Sequence, residues 1–143
     1  MLIEICSENI EIALKAQEKG AIRVELCNNL SIGGITPSYE EIEQARRQLN
    51  IGLNVLIRPR GGDFCYSAAE ISRILKDIEF CGSLITEEGK VMDGVVIGAL
   101  ARDRSIEYGA CSEMFAAACQ YGLSTTFHRA IDRSRDIFKA LEK

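Results

Sequence analysis

Apolar residues along the chain follow two alternating spacings, one typical of strands and the other of helices. Short aliphatic and β-branched segments predict five strands, at Leu2–Cys6, Ile22–Cys27, Leu53–Arg58, Met92–Ile97 and Ser124–His128. Each is followed by a segment with helical periodicity, at Glu8–Lys19, Ser38–Leu49, Ser67–Cys81, Ser112–Tyr121 and Ser134–Lys143. A βα unit repeated five times predicts a parallel sheet with right-handed crossovers.

Serine residues mark the beginnings of three of these helices. Ser7 precedes the first helix and is predicted to cap it. Ser38 and Ser67 are each followed three residues later by a glutamate, Glu41 and Glu70, which is the spacing of a capping box. The sequence therefore predicts three serine-capped helix starts, two of them with reciprocal hydrogen bonds.

The first three predicted strands have one apolar face and one polar face. Their apolar positions are Ile3, Ile5, Val24, Leu26, Val55 and Ile57. Their polar positions are Glu4, Cys6, Arg23, Glu25, Cys27, Asn54 and Arg58. A doubly wound sheet would have nearly continuous apolar strands, whereas a polar inner face is compatible with a barrel interior, or alternatively with a half-exposed sheet. We predict an α/β fold, a partial TIM (β/α)8-type barrel of about five units.

The chain length fits this barrel only in part. A (β/α)8 barrel typically needs about 250 residues, and the chain has 143. No glycine cap or proline follows Leu141. We therefore expect a single, truncated barrel domain over residues 1–143, with open edges at the first and fifth strands. Open edges invite pairing with another chain, which predicts a homo-oligomer.

Composition and charge exclude several classes of protein. Hydrophobic residues make up 47% and charged residues 27% of the chain, so it is not disordered. A net charge of −4 argues against nonspecific nucleic-acid binding. Since no apolar run is long enough to span a bilayer and the N-terminus has no basic region, we expect neither a membrane segment nor a signal peptide. The six cysteines form no C-x-x-C motif, and a reduced, cytoplasmic protein is expected.

Several segments at predicted strand ends resemble the CutC copper homeostasis family. They are Arg23–Leu30, Gly33–Ser38, Ile57–Phe64, Asp93–Gly98 and Thr126–Asp132. The resemblance extends essentially from Leu2 to Lys143, and the Arg-Pro-Arg-Gly-Gly-Asp-Phe segment is its most specific part. It implies a TIM-type barrel, a cytoplasmic location and a connection with copper, although members of the family have about eight units and this chain supplies five.

Two cysteines end the first two predicted strands. Cys6 and Cys27 are each the last residue of a Glu-X-Cys pattern, so Glu4 and Glu25 are expected at matching positions one layer deeper in the barrel. Neighbouring strands lie about 4.8 Å apart, so the two thiols could approach one ion. Thiolates favour Cu(I), and the resemblance implies copper at this pair. The alternative is that both cysteines are small hydrophobic residues filling the barrel mouth.

The end of the third predicted strand carries positive charge beside glycines. Arg58 and Arg60, with Gly61 and Gly62, could bind a phosphate or carboxylate through guanidinium groups and backbone amides. Such loops form the active sites of barrel enzymes. The alternative is a tight turn whose arginines pair with carboxylates of the interior, namely Glu4, Glu25 or Asp63.

The end of the fifth predicted strand carries the only histidine. His128 is the one side chain with an ordinary pKa near neutrality, and Arg129 and Asp132 follow it in the loop. Acid–base catalysis by these three residues is one interpretation, and a structural histidine is the other. Two functions stay open: a copper homeostasis protein binding Cu(I), and a barrel enzyme acting on a small anionic metabolite. Neither involves nucleic acid or a membrane as a partner.

Overall fold

The computed structural model describes residues 1–141, in which strands and helices alternate. The strands are β1 (Glu4–Ser7), β2 (Arg23–Leu26), β3 (Gly52–Leu56), β4 (Gly94–Ile97) and β5 (Ser124–Phe127). The helices are α1 (Ile10–Glu18), α2 (Tyr39–Gln48), α3 (Ala68–Ser83), α4 (Tyr108–Gln120) and α5 (Ile137–Leu141). Two 3₁₀ helices, Leu30–Ile32 and Arg129–Arg133, lie in the loops after β2 and β5.

The five strands form one parallel sheet in the order β1-β2-β3-β4-β5. Sequential order with a helix after each strand is the arrangement of a TIM-type barrel. This confirms the predicted fold class. Within residues 1–141, β1 and β5 each pair on one side only. No helix of this part of the chain is long and apolar enough to cross a membrane.

The two faces of the sheet differ as the alternation predicts. The outer face packs against the helices in the main hydrophobic core, to which it contributes Val24, Leu26, Leu53, Val55, Ile57, Val95 and Ile97. Helices α2, α3 and α4 cover it with buried residues that include Ile42, Ile78 and Met114. Burial of each large aliphatic side chain contributes about 1.5–3 kcal/mol. The polar positions of the strands therefore lie on the inner face of the sheet and at the carboxyl ends of the strands.

Helix beginnings agree with the sequence where a capping box is present. Ser38 and Ser67 both cap their helices, with reciprocal bonds from Glu41 and Glu70. The predicted cap at Ser7 is wrong, because β1 continues through Ser7.

The first helix is capped two residues beyond Ser7. Asn9 caps α1 through a bond of 2.8 Å from the amide of Ile12 to its side-chain oxygen. An Asn cap is as favourable as a Ser cap.

Two later helices differ in length from the prediction. Helix α4 begins at Tyr108 and not at Ser112. Glu107 precedes it without a side-chain capping bond, so the sequence carries no capping signal at that point. Helix α5 begins at Ile137 and not at Ser134, and the last two residues of the predicted segment, 142 and 143, lie outside the described residues.

Candidate functional site

The inner face of the sheet carries the polar residues in rows across the strands. Glu4 lies opposite Arg23 and forms an ion pair with it. Cys6 lies opposite Glu25, which in turn lies opposite Asn54. The expectation that the two Glu-X-Cys segments occupy matching positions is therefore wrong. Strands of a barrel are staggered relative to one another, and repetition of a short motif in the sequence does not reveal the stagger.

The stagger nevertheless brings the two thiols into contact. The Sγ atoms of Cys6 and Cys27 are 3.8 Å apart. The Cys27 thiol is buried and also lies 3.5 Å from the carbonyl oxygen of Ser7. Cys6 is exposed, and every cysteine of the chain is a free thiol. One buried and one accessible sulfur therefore meet at the carboxyl ends of β1 and β2.

The environment of the two thiols distinguishes them electrostatically. A hydrogen bond from Cys27 lowers the pKa of Cys6, whereas the same bond, followed by burial, raises the pKa of Cys27. Burial, and then the charge of Glu4, raises the pKa of Glu25, which lies beside them. Cys6 is therefore the first of the pair to become a thiolate, with Cys27 as its hydrogen-bond donor.

Arg58 is buried at the carboxyl end of the inner face, with 3% of its surface exposed. Its guanidinium group donates to the carbonyl oxygens of Gly34 and Gly62, both at 2.9 Å, and of Ile32 at 3.3 Å. It also lies over the ring of Phe64, 4.6 Å from the centroid. Arg58 therefore holds together the loops after β2 and β3, and no carboxylate of the described residues pairs with it.

Arg60 faces a different part of the surface. It forms ion pairs with Glu70 and, at 3.0 Å, with Asp63. It lines a cavity of about 930 Å³ together with Arg102 and Arg104. Arg58 and Arg60, which the sequence grouped together, thus line different cavities. Arg60 pairs with carboxylates, as the alternative interpretation of this loop expected for its arginines.

The two glycines after Arg60 form the turn. Gly61 lies against Ile32, where an added Cβ would come within 3.2 Å of that side chain, and Gly62 adopts a φ of +86°. That φ lies in the left-handed region, which glycine occupies at little cost. The carbonyl oxygen of Gly62 accepts a hydrogen bond from Arg58, so these glycines build the loop that Arg58 holds in place.

His128 is buried at the end of β5. Its Nδ1 atom accepts a hydrogen bond of 3.2 Å from the amide of Ala130, and its ring packs 5.0 Å from the ring of Phe64. Burial, and then the charge of Arg58, lowers its pKa to about 4. The imidazole is therefore neutral near neutral pH, with its proton on Nε2, because Nδ1 is an acceptor. Nε2 is buried and has no hydrogen-bond partner among residues 1–141.

One cavity brings most of the predicted site residues together. Its volume is about 310 Å³, and its lining includes Cys6, Glu25, Cys27, Arg58, Thr126, His128 and Arg129. Asp132, Arg60 and Glu4 are not among the residues around it. Asp132 is exposed in the second 3₁₀ helix. Gly33, which begins one of the segments of the family resemblance, also lines this cavity. The sequence did not single out Arg133, which lies in the loop after β5 beside the cavity; its only signal was the spacing of arginines at 129, 133 and 135.

A parallel sheet of βα units with polar groups at the carboxyl ends of its strands defines a protein of the (β/α)-barrel class. The chain belongs to the CutC family, whose family model matches residues 1–143. This confirms the resemblance seen in the sequence.

Several relatives share this similarity at the level of sequence. A CutC family protein of Chromobacterium violaceum is 45% identical over 141 residues, covering 99% of this chain and 54% of the relative. One of Bacteroides thetaiotaomicron is 48% identical over 141 residues, covering 98% of this chain and 53% of the relative. The chain thus spans about half the length of the curated relatives it matches.

A solved structure shares the fold. The structure of CutC from Streptococcus agalactiae, which is named as a copper homeostasis protein, superposes on this chain with a TM-score of 0.86 at 34% identity. The match covers 99% of this chain and 67% of that protein. The similarity therefore extends from the family to the three-dimensional arrangement of a TIM-barrel-like fold.

Proposed function

We propose that this protein binds one Cu(I) ion as cargo between Cys6 and Cys27. The observation that carries the proposal is the distance of 3.8 Å between the two sulfur atoms. Soft thiolate ligands select Cu(I) over harder divalent ions. The exposed sulfur of Cys6 offers a route of entry, and the buried sulfur of Cys27 fixes the second ligand position.

The number of ligands supports a monovalent copper ion over zinc. Among residues 1–141, no group of three or more His, Cys, Asp or Glu side chains is arranged to hold a metal. Structural zinc sites require four protein ligands, whereas Cu(I) accepts two. Glu4 and Glu25 add negative charge near the thiols without completing a larger ligand set.

The stagger of the strands also favours a reduced pair. Because Cys6 lies opposite Glu25, Cys27 is two residues further along. A strand spacing of about 4.8 Å and a rise of about 3.3 Å per residue then separate the two Cα atoms by about 8 Å. Disulfides rarely exceed a Cα separation of about 6.8 Å. The pair is therefore suited to hold an ion between two thiolates, and a reducing compartment such as the cytoplasm would keep it available.

The proposal is tested by Cu(I) titration against a chromogenic chelator under reducing, anaerobic conditions. The 143-residue chain is expected to bind one tight equivalent. Cys6→Ser and Cys27→Ser should each abolish tight binding, since each removes one of two ligands. Cys119→Ser is the matched control, because Cys119 is also an exposed free thiol.

Cys6→Ser gives the clearer result, because the exposed side chain can be replaced without disturbing the core. Circular dichroism and thermal unfolding of each variant separate loss of a ligand from loss of the fold. Binding of copper by the double variant Cys6→Ser/Cys27→Ser as tightly as by the parent chain would overturn the proposal.

A second candidate function is catalysis on a small phosphate- or carboxylate-bearing metabolite. It is favoured by the cavity that brings Arg58, His128 and Arg129 beside the thiols. With a pKa of about 4, His128 is neutral and acts as a donor through Nε2, so it would orient or polarise a substrate. A ligand that binds only the folded state stabilises it against unfolding. We therefore expect such a metabolite to raise the Tm of the protein in the absence of metal.

We propose in addition that the open strand edges associate with a second copy of the chain. Ile3 precedes β1 and Phe127 ends β5, and each exposes more than a third of its surface. Unpaired edges with apolar side chains favour pairing between chains. Analytical sedimentation is expected to give a dimer or a larger species, and a monomer at all concentrations would contradict this.

A further inference from the structure

The cavity of about 310 Å³ that Cys6 and Cys27 line is called the thiol cavity. A second cavity, of about 360 Å³, adjoins it at the barrel mouth and is called the arginine cavity. Three arginines line it, Arg58, Arg129 and Arg133, and no carboxylate does. Its other walls are the loops after β2 and β3, which contribute Gly33, Gly62 and Phe64. Three guanidinium groups around one small polar space create a strongly positive local potential.

The guanidinium groups of Arg58 and Arg129 point toward the same position. A Cβ atom built on Gly33 would lie 3.1 Å from the Nη1 atom of Arg58 and 3.6 Å from the Nη1 atom of Arg129. Gly33 also has a φ of +90°, which disfavours any other residue. The absence of a side chain at this position leaves the space into which both cations project.

Most of the arginines outside this cavity are paired with carboxylates, although Arg102 and Arg104 form no ion pair within 4.0 Å among residues 1–141. Six arginines form ion pairs with carboxylates: Arg23, Arg46, Arg47, Arg60, Arg73 and Arg135. Arg58, Arg129 and Arg133 form none within 4.0 Å among residues 1–141. Arg58 is fixed by backbone carbonyl oxygens, so its charge is held in place and not neutralised.

We infer that this cavity binds the phosphate or carboxylate group of a small molecule, held by Arg58, Arg129 and Arg133. Arginine forms paired hydrogen bonds with both kinds of anion. The inference deepens the second candidate function by naming its anion-binding groups. It does not depend on copper, and Arg60 has no part in it because its charge is balanced by Glu70 and Asp63.

The position of the cavity further defines the ligand. It shares Leu30, Gly33, Arg58 and Arg129 with the thiol cavity, which His128 also lines. A molecule whose anionic end occupies the arginine cavity can extend a hydrogen-bond acceptor toward Nε2 of His128, the buried donor without a partner. The ligand class is therefore a compact anion with at least one further acceptor group.

The inference is tested by isothermal titration calorimetry of the copper-free 143-residue chain. Inorganic phosphate and malonate are used as separate probes, so that a preference for phosphate or for carboxylate is measured directly. Arg129→Gln and Arg133→Gln should each lower affinity by about tenfold or more, the effect of one charge-assisted hydrogen bond. Arg47→Gln removes an exposed charge from α2 and is the matched control.

Each outcome decides the inference. Binding of either probe, weakened by both cavity variants and unchanged in the control, supports it. The absence of binding of both probes to the parent chain overturns it, and so does an equal loss in all three variants, which would indicate only general charge attraction. Cu(I) titration of the same variants is expected to be unchanged, so that failure here is distinguishable from failure of the copper proposal. Absence of catalysis despite anion binding would reject the second candidate function alone.

Discussion

Acidification is expected to destabilise this protein specifically through His128. Burial beneath the loops, followed by the charge of Arg58, lowers its pKa to about 4 in the folded chain, against an ordinary value of 6.5. Between these two values the unfolded chain binds a proton on His128 that the folded chain does not. The stability that the neutral imidazole confers is therefore fully present above pH 6.5 and is lost as the pH falls toward 4.

The size of the effect follows from the two pKa values. One unit of difference corresponds to about 1.4 kcal/mol, so the full contribution is about 3 kcal/mol, of which about 2 kcal/mol is lost by pH 5. Urea unfolding at pH 7.5 and at pH 5.0 measures this loss. Other titrating groups also respond to pH, so the parent chain must be compared with a variant that lacks only the imidazole.

His128→Asn is the variant suited to this comparison. Its side-chain oxygen can replace Nδ1 as the acceptor for the amide of Ala130, and Asn is a favourable capping residue. The variant is expected to be less stable at pH 7.5 because a packed ring is lost. Between pH 7.5 and 5.0, however, it should lose about 2 kcal/mol less than the parent. Equal losses in the two proteins would refute the assignment of a buried, neutral histidine.

Three further substitutions test how the sheet and two of the helices are built. Gly94→Ala should destabilise the fold by about 1–3 kcal/mol in urea unfolding, since its Cβ would lie 2.7 Å from Asn54 Oδ1 and from the carbonyl oxygen of Ser124. Gly109→Ala, at a roomier position in α4, should instead stabilise by about 0.5–1 kcal/mol. Ser67→Ala should lower the free energy of unfolding by about 1 kcal/mol in the same assay, because it removes the hydroxyl oxygen that accepts a hydrogen bond from the amide of Glu70. An unchanged free energy of unfolding would contradict the capping role of Ser67.

The order and type of the elements could be predicted from the sequence because each depends on local pattern. Alternation in β2 and β3 separates Val24 and Val55 from Glu25 and Asn54, and the structure places these pairs on opposite faces. Capping boxes are likewise local, which is why the beginning of α3 after Ser67 was predicted correctly.

The geometry of the candidate site depends on longer-range features and could be predicted only in part. The stagger between β1 and β2 is a property of the whole sheet, so the sequence suggested a matched pair of cysteines where the structure has a diagonal one. Similarly, Arg58 and Arg60 are two residues apart, yet only Arg60 meets carboxylates, because Glu70 is brought to it by the cap of α3. The convergence of Arg58 and Arg129 on Gly33 depends on the relative positions of the loops after β2, β3 and β5, which no local sequence pattern reveals.

The two proposed copper ligands differ in how firmly the fold holds them. Cys27 is fully buried and follows β2, a strand paired on both sides. Cys6 lies on the edge strand β1, of which only Ser7 is buried. The Glu4–Arg23 ion pair that joins the two strands is half-exposed and worth at most about 1 kcal/mol. The position of Cys6 therefore depends mainly on the backbone hydrogen bonds between β1 and β2, and opening of this edge would separate the thiols before any of the core unfolds. Copper held between them would bind only the closed arrangement, so it would stabilise the edge of the sheet as well as the site.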